Sequence, residues 1–167
     1  MRFRKMIYII IPIIIIEGAI ITLNKSLEKF CFGHNKKNIY NNNSKISAAN
    51  DNFSYIYKKG TNENGKTNIC FKFTGMDTIW SIISENDAMI SINFSSDIEL
   101  GTFKVVLIDP NNNITNILEQ SQEGTEVYKV KKGNNRIKIV AKEAKGKLKL
   151  DITPEKDGLE IDIISTN

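Results

Sequence analysis

The chain is poor in the residues on which most catalytic and metal sites depend. Its 167 residues include one histidine, His34, and two cysteines, Cys31 and Cys70. One histidine cannot supply a histidine-rich zinc site, and the absence of a C-x-x-C pair removes support for metal and thiol-redox sites. No Ser-His-Asp set is expected around His34, because it lies in a polar segment outside the predicted fold. These shortages predict that the protein is not an enzyme and carries no catalytic residues.

Acidic residues are scarce in the N-terminal part of the chain and more frequent in the C-terminal part. Residues 1–23 carry a net charge of +2, residues 24–67 carry +5 and residues 68–167 carry −3. A nucleic-acid surface requires clustered lysine or arginine to neutralise phosphates. We therefore expect no nucleic-acid partner for residues 68–167.

One long apolar run stands out at the N-terminus. Arg2, Arg4 and Lys5 precede residues 6–23, which are apolar except for Tyr8, Glu17, Gly18 and Thr22. Eighteen helical residues span about 27 Å, close to the hydrocarbon thickness of a bilayer. The basic cluster predicts a single-pass signal-anchor in the cell membrane, with a cytoplasmic N-terminus and an extracytoplasmic C-terminal part.

A cleaved signal peptide is the alternative for this run. Cleavage would follow Ala19, but Glu17 occupies a position where such sites place a small residue. An uncleaved anchor over residues 1–23 is therefore the prediction.

Residues 24–67 are polar and rich in asparagine, lysine and serine. They show no sustained hydrophobic period, so we interpret them as a flexible linker that holds a domain off the membrane. Residues 53–57, FSYIY, could form a short strand within it. Cys31 lies near the membrane end of this linker and Cys70 begins the folded part, so we expect two unpaired thiols.

From residue 68 to residue 167 the hydrophobic period is two. Alternation is clearest in five stretches: 69–73, 88–94, 103–107, 137–139 and 148–152. Alternation broken by turn residues every eight to twelve positions is typical of antiparallel sandwiches and barrels. The sequence thus predicts an all-β fold, a small antiparallel β-sandwich of jelly-roll-like type with about eight strands.

A phosphate-binding motif is spelled by Gly60, Gly65, Lys66 and Thr67. Such a loop must open a helix, whose first amides hold the phosphate. Here the motif leads into Ile69-Cys70-Phe71-Lys72-Phe73, which alternates like a strand. We therefore expect no nucleotide at this loop.

Calcium is the one cofactor for which the sequence offers ligands. Asp157, Glu160 and Asp162 lie close together, and the last two share one face if they are in a strand. They are a candidate calcium site, with a solvated strand face as the alternative. Residues 109–113, DPNNN, begin like a calcium loop but lack its glycine and its bidentate glutamate, and a turn explains them better.

Trp80 and Tyr128 are candidate binding residues. Trp80 is the only tryptophan, and with Tyr128 it could form a platform for a sugar. A tryptophan buried in the core is the alternative.

From about Thr78 to Ile152 the chain resembles the bacterial pre-peptidase C-terminal (PPC) type of β-sandwich. The resemblance rests on DTIWSI, AMISINFSS, GTFKVVLIDPNNNIT, KKGNNRIKIVAK and KGKLKLDI, with a strand that ends in an Asp-Pro-Asn turn. Asn134-Asn135-Arg136 replaces the family's Gly-Thr-Tyr, and Leu148 replaces an aromatic residue. The resemblance implies an accessory module without catalytic residues, some members of which bind collagen, polysaccharide or calcium. Similar anchored sandwiches occur in low-GC Gram-positive bacteria.

Together these observations predict a membrane-anchored extracytoplasmic domain with a non-enzymatic binding role. Its partner could be a wall polymer, a carbohydrate or an envelope protein. The alternative is a structural or assembly subunit of an envelope complex.

Overall fold

The computed structural model describes residue 36, residues 38–155 and residues 161–166, with only the backbone given for Ile161. Within this part of the chain there are one short helix and seven strands. They are α1 (Asn43–Ile46), β1 (Asn52–Glu63), β2 (Lys66–Ser84), β3 (Ala88–Ile108), β4 (Ile114–Glu119), β5 (Glu123–Val130), β6 (Gly133–Pro154) and β7 (Ile161–Ser165).

The predicted membrane segment, residues 6–23, lies outside the described residues, as do Cys31 and His34. In the part of the chain that is described, no helix has the length and apolar character needed to cross a bilayer.

The strands form one antiparallel sheet in the order β1-β2-β6-β3-β4, with β5 also paired to β3 and β7 also paired to β2. This confirms the predicted all-β class. The alternation that predicted the core is confirmed as well, because the apolar set on one face of each long strand is buried. Examples are Ile90 and Ile92 in β3, Ile137 and Ile139 in β6, and Leu148 further along β6.

The long strands β2, β3 and β6 continue through positions where the sequence predicted breaks. The pairing of β2 with β6 shifts between Phe73 and Gly75, and the pairing of β3 with β6 shifts on both sides of Leu100. Gly75 has φ +115°, and an added Cβ there would lie 2.0 Å from the carbonyl oxygen of Asn52. Glycine is therefore required at this bulge. Because these glycine positions are bulges within strands and not turns, the described residues form seven strands where about eight were expected.

The bulges of β2, β3 and β6 lie side by side across the sheet. The three strands bend there, so that the two halves of the sheet face each other. The rings of Phe71 and Phe103 stack with centroids 4.9 Å apart, although β6 separates their strands in the sheet. The sheet therefore has two layers and is sandwich-like, with one apolar core between them. The first layer contains β5, most of β1 and residues 66–73, 88–98 and 145–154. The second layer contains β4, β7 and residues 75–84, 102–108 and 133–141.

Residues 38–67, which the sequence analysis assigned to the linker, belong to the fold. We name residues 38–51 the covering segment, because they lie on the outer face of the second layer. Ile39 and Ile46 are 1% and 0% exposed and pack in a second apolar cluster with Val106 and Val140. The linker interpretation failed because the few apolar residues among the asparagines have no regular period, yet they fill one groove.

Polar contacts hold the covering segment at its C-terminal end. The guanidinium of Arg136 donates to the carbonyl oxygens of Ser47 and Ala48, both at 2.8 Å. The Lys138 Nζ, fully buried, donates to Ala48 at 2.8 Å and pairs with the Asp51 carboxylate at 2.9 Å. These bonds tie the backbone carbonyls of the covering segment to side chains of β6.

Candidate functional site

The structure places both predicted aromatic residues in the core. Trp80 is 0% exposed, and its indole Nε1 donates to the Thr67 Oγ1 at 2.8 Å. Tyr128 is 7% exposed, and its hydroxyl donates to the Glu126 carboxylate at 2.8 Å. A sugar cannot stack on a ring that solvent does not reach, so the burial of Trp80 and Tyr128 contradicts the platform hypothesis and fits the core alternative.

The candidate calcium ligands are only partly described. Asp162 lies exposed in β7, opposite Ile83 of β2, whereas Asp157 and Glu160 lie outside the described residues. Within the described residues, no group of three or more His, Cys, Asp or Glu side chains could hold a metal ion. The calcium site therefore stays a prediction.

The phosphate-loop motif lies in a β-hairpin, and the strand predicted after it is confirmed. Asn64 and Gly65, with φ of 53° and 74°, form the two-residue turn between β1 and β2. This Asn-Gly turn is the type that matches the twist of a hairpin. Thr67 follows in β2 and is buried, where its hydroxyl donates to Asn62 at 2.6 Å and accepts from Trp80. The motif thus opens a strand and not a helix.

Asp109 closes the turn between β3 and β4. Its carboxylate accepts from the backbone amides of Asn111 and Asn113 and pairs with Lys131 at 2.7 Å. Burial acts to raise the pKa of Asp109, but the hydrogen bonds from Asn113 and Lys131 outweigh it and lower this pKa to about 2. The residue is a structural anion of the turn, in agreement with the turn interpretation of residues 109–113.

A buried ionisable cluster joins β1 to the second layer. The Tyr55 hydroxyl donates to Asp77 at 2.5 Å, and the Lys58 Nζ lies 3.4 Å from the same carboxylate. Burial raises the pKa of Asp77 although both partners act against it, and burial together with Asp77 raises the pKa of Tyr55. The cluster borders a shallow cavity of about 470 Å³, also lined by Phe53 and Asn62.

The polar side chains around that cavity are engaged with the protein. Besides the bonds to Asp77, the Asn62 amide donates to the Ile79 carbonyl at 2.8 Å and to the Ser165 hydroxyl at 3.0 Å. These bonds connect β1 with β2 and β7 and close one open side of the folded sheet. We interpret the cluster as structural. The sequence did not reveal this cluster because most of the β1 residues were predicted to be linker, although the Asn-Gly turn after FSYIY is a hairpin signature.

A more promising feature is the outer face of the first layer. Six lysines from three neighbouring strands lie on it, and we name it the lysine face: Lys59 of β1, Lys66 and Lys72 of β2, and Lys145, Lys147 and Lys149 of β6. Residues paired across strands share a face, so the register places these side chains together. Lys147 and Lys149 are exposed.

Only some of these lysines have an acidic partner. Lys66 pairs with Asp151 at 3.0 Å and Lys145 pairs with Glu99 at 2.5 Å. Lys59, Lys147 and Lys149 make no ion pair with another described residue. The centre of the face, around the exposed Cys70, is therefore positively charged.

Cross-strand geometry strengthens this charge. Lys72 lies directly opposite Lys145, and Cys70 is paired with Lys59 on one side and with Lys147 on the other. Like charges at opposed positions repel and lower the stability of a sheet. An anion above the face would relieve this repulsion, so the arrangement is suited to bind polyanions.

Negative charge gathers elsewhere, in a cleft between the edges of β4 and β5. Its volume is about 590 Å³, and its lining includes Glu119, Glu123 and Glu126 above Phe94. The net charge of residues 68–167 averages over these two regions. Net charge therefore did not reveal the lysine face, although the alternation of lysine and leucine in residues 147–150 indicates part of it. The absence of a nucleic-acid partner stays a prediction.

Comparisons with protein-family models and with curated protein sequences find no match for this chain. The resemblance to the PPC type of sandwich therefore remains a hypothesis that rests on the sequence stretches given above.

Proposed function

We propose that this protein is a membrane-anchored extracytoplasmic binding module, not an enzyme, and that its lysine face binds an anionic polymer of the cell envelope. The anchor in this proposal is the apolar run at residues 6–23. In this proposal the domain is a PPC-like sandwich of jelly-roll-like type. The observed all-β fold with two layers supports it.

The lysine face is the observation that carries this proposal. It is a nearly continuous sheet surface on which six lysines outnumber the four carboxylates beside them, Glu63, Asp97, Glu99 and Asp151. Each lysine held near an anionic surface contributes on the order of 1 kcal/mol of attraction at physiological salt. Three lysines without an ion-pair partner are enough for reversible binding that depends strongly on salt concentration.

The remaining titratable groups support a binding role over a catalytic one. Asp109 is held inside its turn and Asp77 is covered by Tyr55 and Lys58. Both carboxylates are occupied by protein donors and neither lies at the lysine face.

Retention of the full chain on charged and neutral polysaccharides tests the proposal. The chain, inserted in nanodiscs of zwitterionic lipid, should be retained by immobilised dextran sulfate and released as salt rises. Neutral dextran should not retain it. The triple substitution Lys59→Gln, Lys147→Gln and Lys149→Gln should weaken retention about tenfold or more.

A matched control removes three lysines outside the face: Lys45→Gln, Lys132→Gln and Lys142→Gln. It has the same net charge as the first variant and should be retained nearly as well as the unsubstituted chain. Equal losses in both variants, or no retention at all, would refute a specific role for the lysine face.

A second candidate, an assembly subunit, is favoured by the acidic cleft. Among the described strands β4 and β5 each pair only with β3, so each has an unpaired edge at this cleft. An extended basic segment of an envelope protein could pair with one edge and meet the three glutamates. Crosslinking in intact membranes should then give a heterologous product that disappears on Glu123→Lys, and recovery of monomer alone would remove this candidate.

A further inference from the structure

We propose that the polymer bound by the lysine face is a linear polyol phosphate, in which phosphodiesters alternate with short polyol units. This inference rests on the proposed function and names the ligand class of the same surface. It is carried by the spacing of the lysines and by the charges that lie on either side of them.

The distance between neighbouring lysines is set by strand β6. Lys145, Lys147 and Lys149 occupy alternate positions of β6 and lie on the same face of the sheet. Alternate residues of a strand are about 6.8 Å apart. A three-carbon polyol between two phosphates spans a similar length, so successive phosphates can meet successive lysines. A polysaccharide with one carboxylate per disaccharide places its charges farther apart.

The neighbouring strands define the path of the polymer along β6. On the β3 side, Glu99 and Asp97 lie beside Lys145 and Lys147 and would repel an anion. On the β2 side, Lys72 and Cys70 stand opposite the same two lysines. The polymer would therefore lie over β6 and β2, between an acidic border and a second group of positive charges.

The chemical type of the side chains fits phosphate. Lysine binds phosphate as a compact point charge, whereas the planar fork of arginine binds phosphate and carboxylate alike in a bidentate manner, so the residue type fits a phosphodiester without excluding a carboxylate. All six cations of the lysine face are lysines.

The face also discriminates against single-stranded nucleic acid, whose phosphates have a comparable spacing. Proteins that bind single strands without sequence preference stack the bases on aromatic side chains. The one aromatic residue in register with this lysine group is Tyr57, which is paired with Lys72 at the β1 margin. A polyol phosphate has no bases and needs no such platform.

Binding of defined polymers to the full chain in zwitterionic nanodiscs tests the inference. The probes are a synthetic glycerol-phosphate oligomer, a hyaluronan oligomer and an oligothymidylate, compared at equal total charge. We expect the glycerol-phosphate oligomer to bind at least about fivefold more tightly than the other two. Lys147→Gln, at the centre of the β6 row, should weaken this binding about fivefold, in line with the loss of one surface lysine.

Lys59→Gln is the matched control, because it removes one lysine of the same face that lies outside the β6 row. It should weaken binding of the glycerol-phosphate oligomer less than Lys147→Gln does. Equal effects of the two substitutions would overturn the spacing argument.

The outcomes separate this inference from the proposed function. Equal binding of hyaluronan and the glycerol-phosphate oligomer would overturn the inference and leave the binding module standing. Tighter binding of oligothymidylate would overturn it in favour of a nucleic-acid ligand. Binding of none of the three would contradict both.

Discussion

Lysine side chains of β6 lie on both outer faces of the folded sheet, and the two faces differ in what covers them. Lys138, on the second layer, is fully buried under the covering segment and bonds to its carbonyl groups. Lys147, on the first layer, is exposed beside other lysines. The same residue type in the same strand is thus an internal anchor on one face and a candidate ligand contact on the other. The role of the lysine depends on whether another part of the chain covers that face of the sheet.

The largest effect is expected from the apolar contact that holds the covering segment. Ile46→Ala removes a fully buried side chain from the second cluster. Loss of its burial and the cavity left behind should cost about 2–4 kcal/mol of unfolding free energy. Urea denaturation of the full chain in mild detergent measures this change.

The control for that substitution is Ile56→Ala, which truncates an isoleucine of β1 that is 42% exposed. It should change the unfolding free energy by less than about 0.5 kcal/mol. Similar values for Ile46→Ala and Ile56→Ala would mean that residues 38–51 do not pack on the second layer.

A smaller effect is expected when the two β6 lysines are compared directly. Lys138→Met keeps the length of the side chain but removes the donor to Ala48 and the partner of Asp51. Loss of the ammonium's bonds to Ala48 and Asp51 should cost about 1–3 kcal/mol, although Arg136 still donates to Ala48 and Thr78 to Asp51. Lys147→Met, on the open face, should cost less than about 0.5 kcal/mol. If thermal unfolding of the two variants coincides, the contrast between the faces is wrong.

The smallest effect is expected on the pH dependence of stability. It concerns Asp109, which lies outside both outer faces and so serves as a reference for them. The pKa of Asp109 is about 2 in the fold, below the value of about 3.9 for an unfolded aspartate. Its stabilisation is therefore complete above about pH 4 and is lost as the pH falls toward 2. Asp109→Asn should lower the melting temperature at pH 5 and reduce its further fall between about pH 4 and pH 2. An unchanged acid profile in this variant would contradict the assignment.

The period of the sequence predicted the strands but not their connections. Ile90, Ile92 and Phe94 alternate as a core strand should, and they are buried. Gly75 and Gly101 lie at irregularities inside long strands, but in the sequence a glycine can mark either a turn or a bulge. Only pairing with β6 distinguishes the two, and pairing is not a local property.

The candidate site was hidden for a related reason. Net charge counts residues along the chain, whereas the lysine face is made by the register of β1, β2 and β6. Similarly, Ile39, Tyr40 and Ile46 have no period of their own and become core residues only against Val106 and Val140. Trp80 is a further case, because it and the adjacent Ile79 are both fully buried next to a register shift that a period of two does not predict.

Acylation of lysines in the native full chain, followed residue by residue with mass spectrometry, tests the central contrast most directly. Acylation requires the reagent to reach the amine, and the Lys138 Nζ is fully buried and bonded to Ala48 and Asp51. We expect Lys147 and Lys149 to be modified quickly, while Lys138 stays unmodified until the protein unfolds. Modification of Lys138 at the rate of Lys147 in the folded chain would contradict the assignment of one covered and one open face.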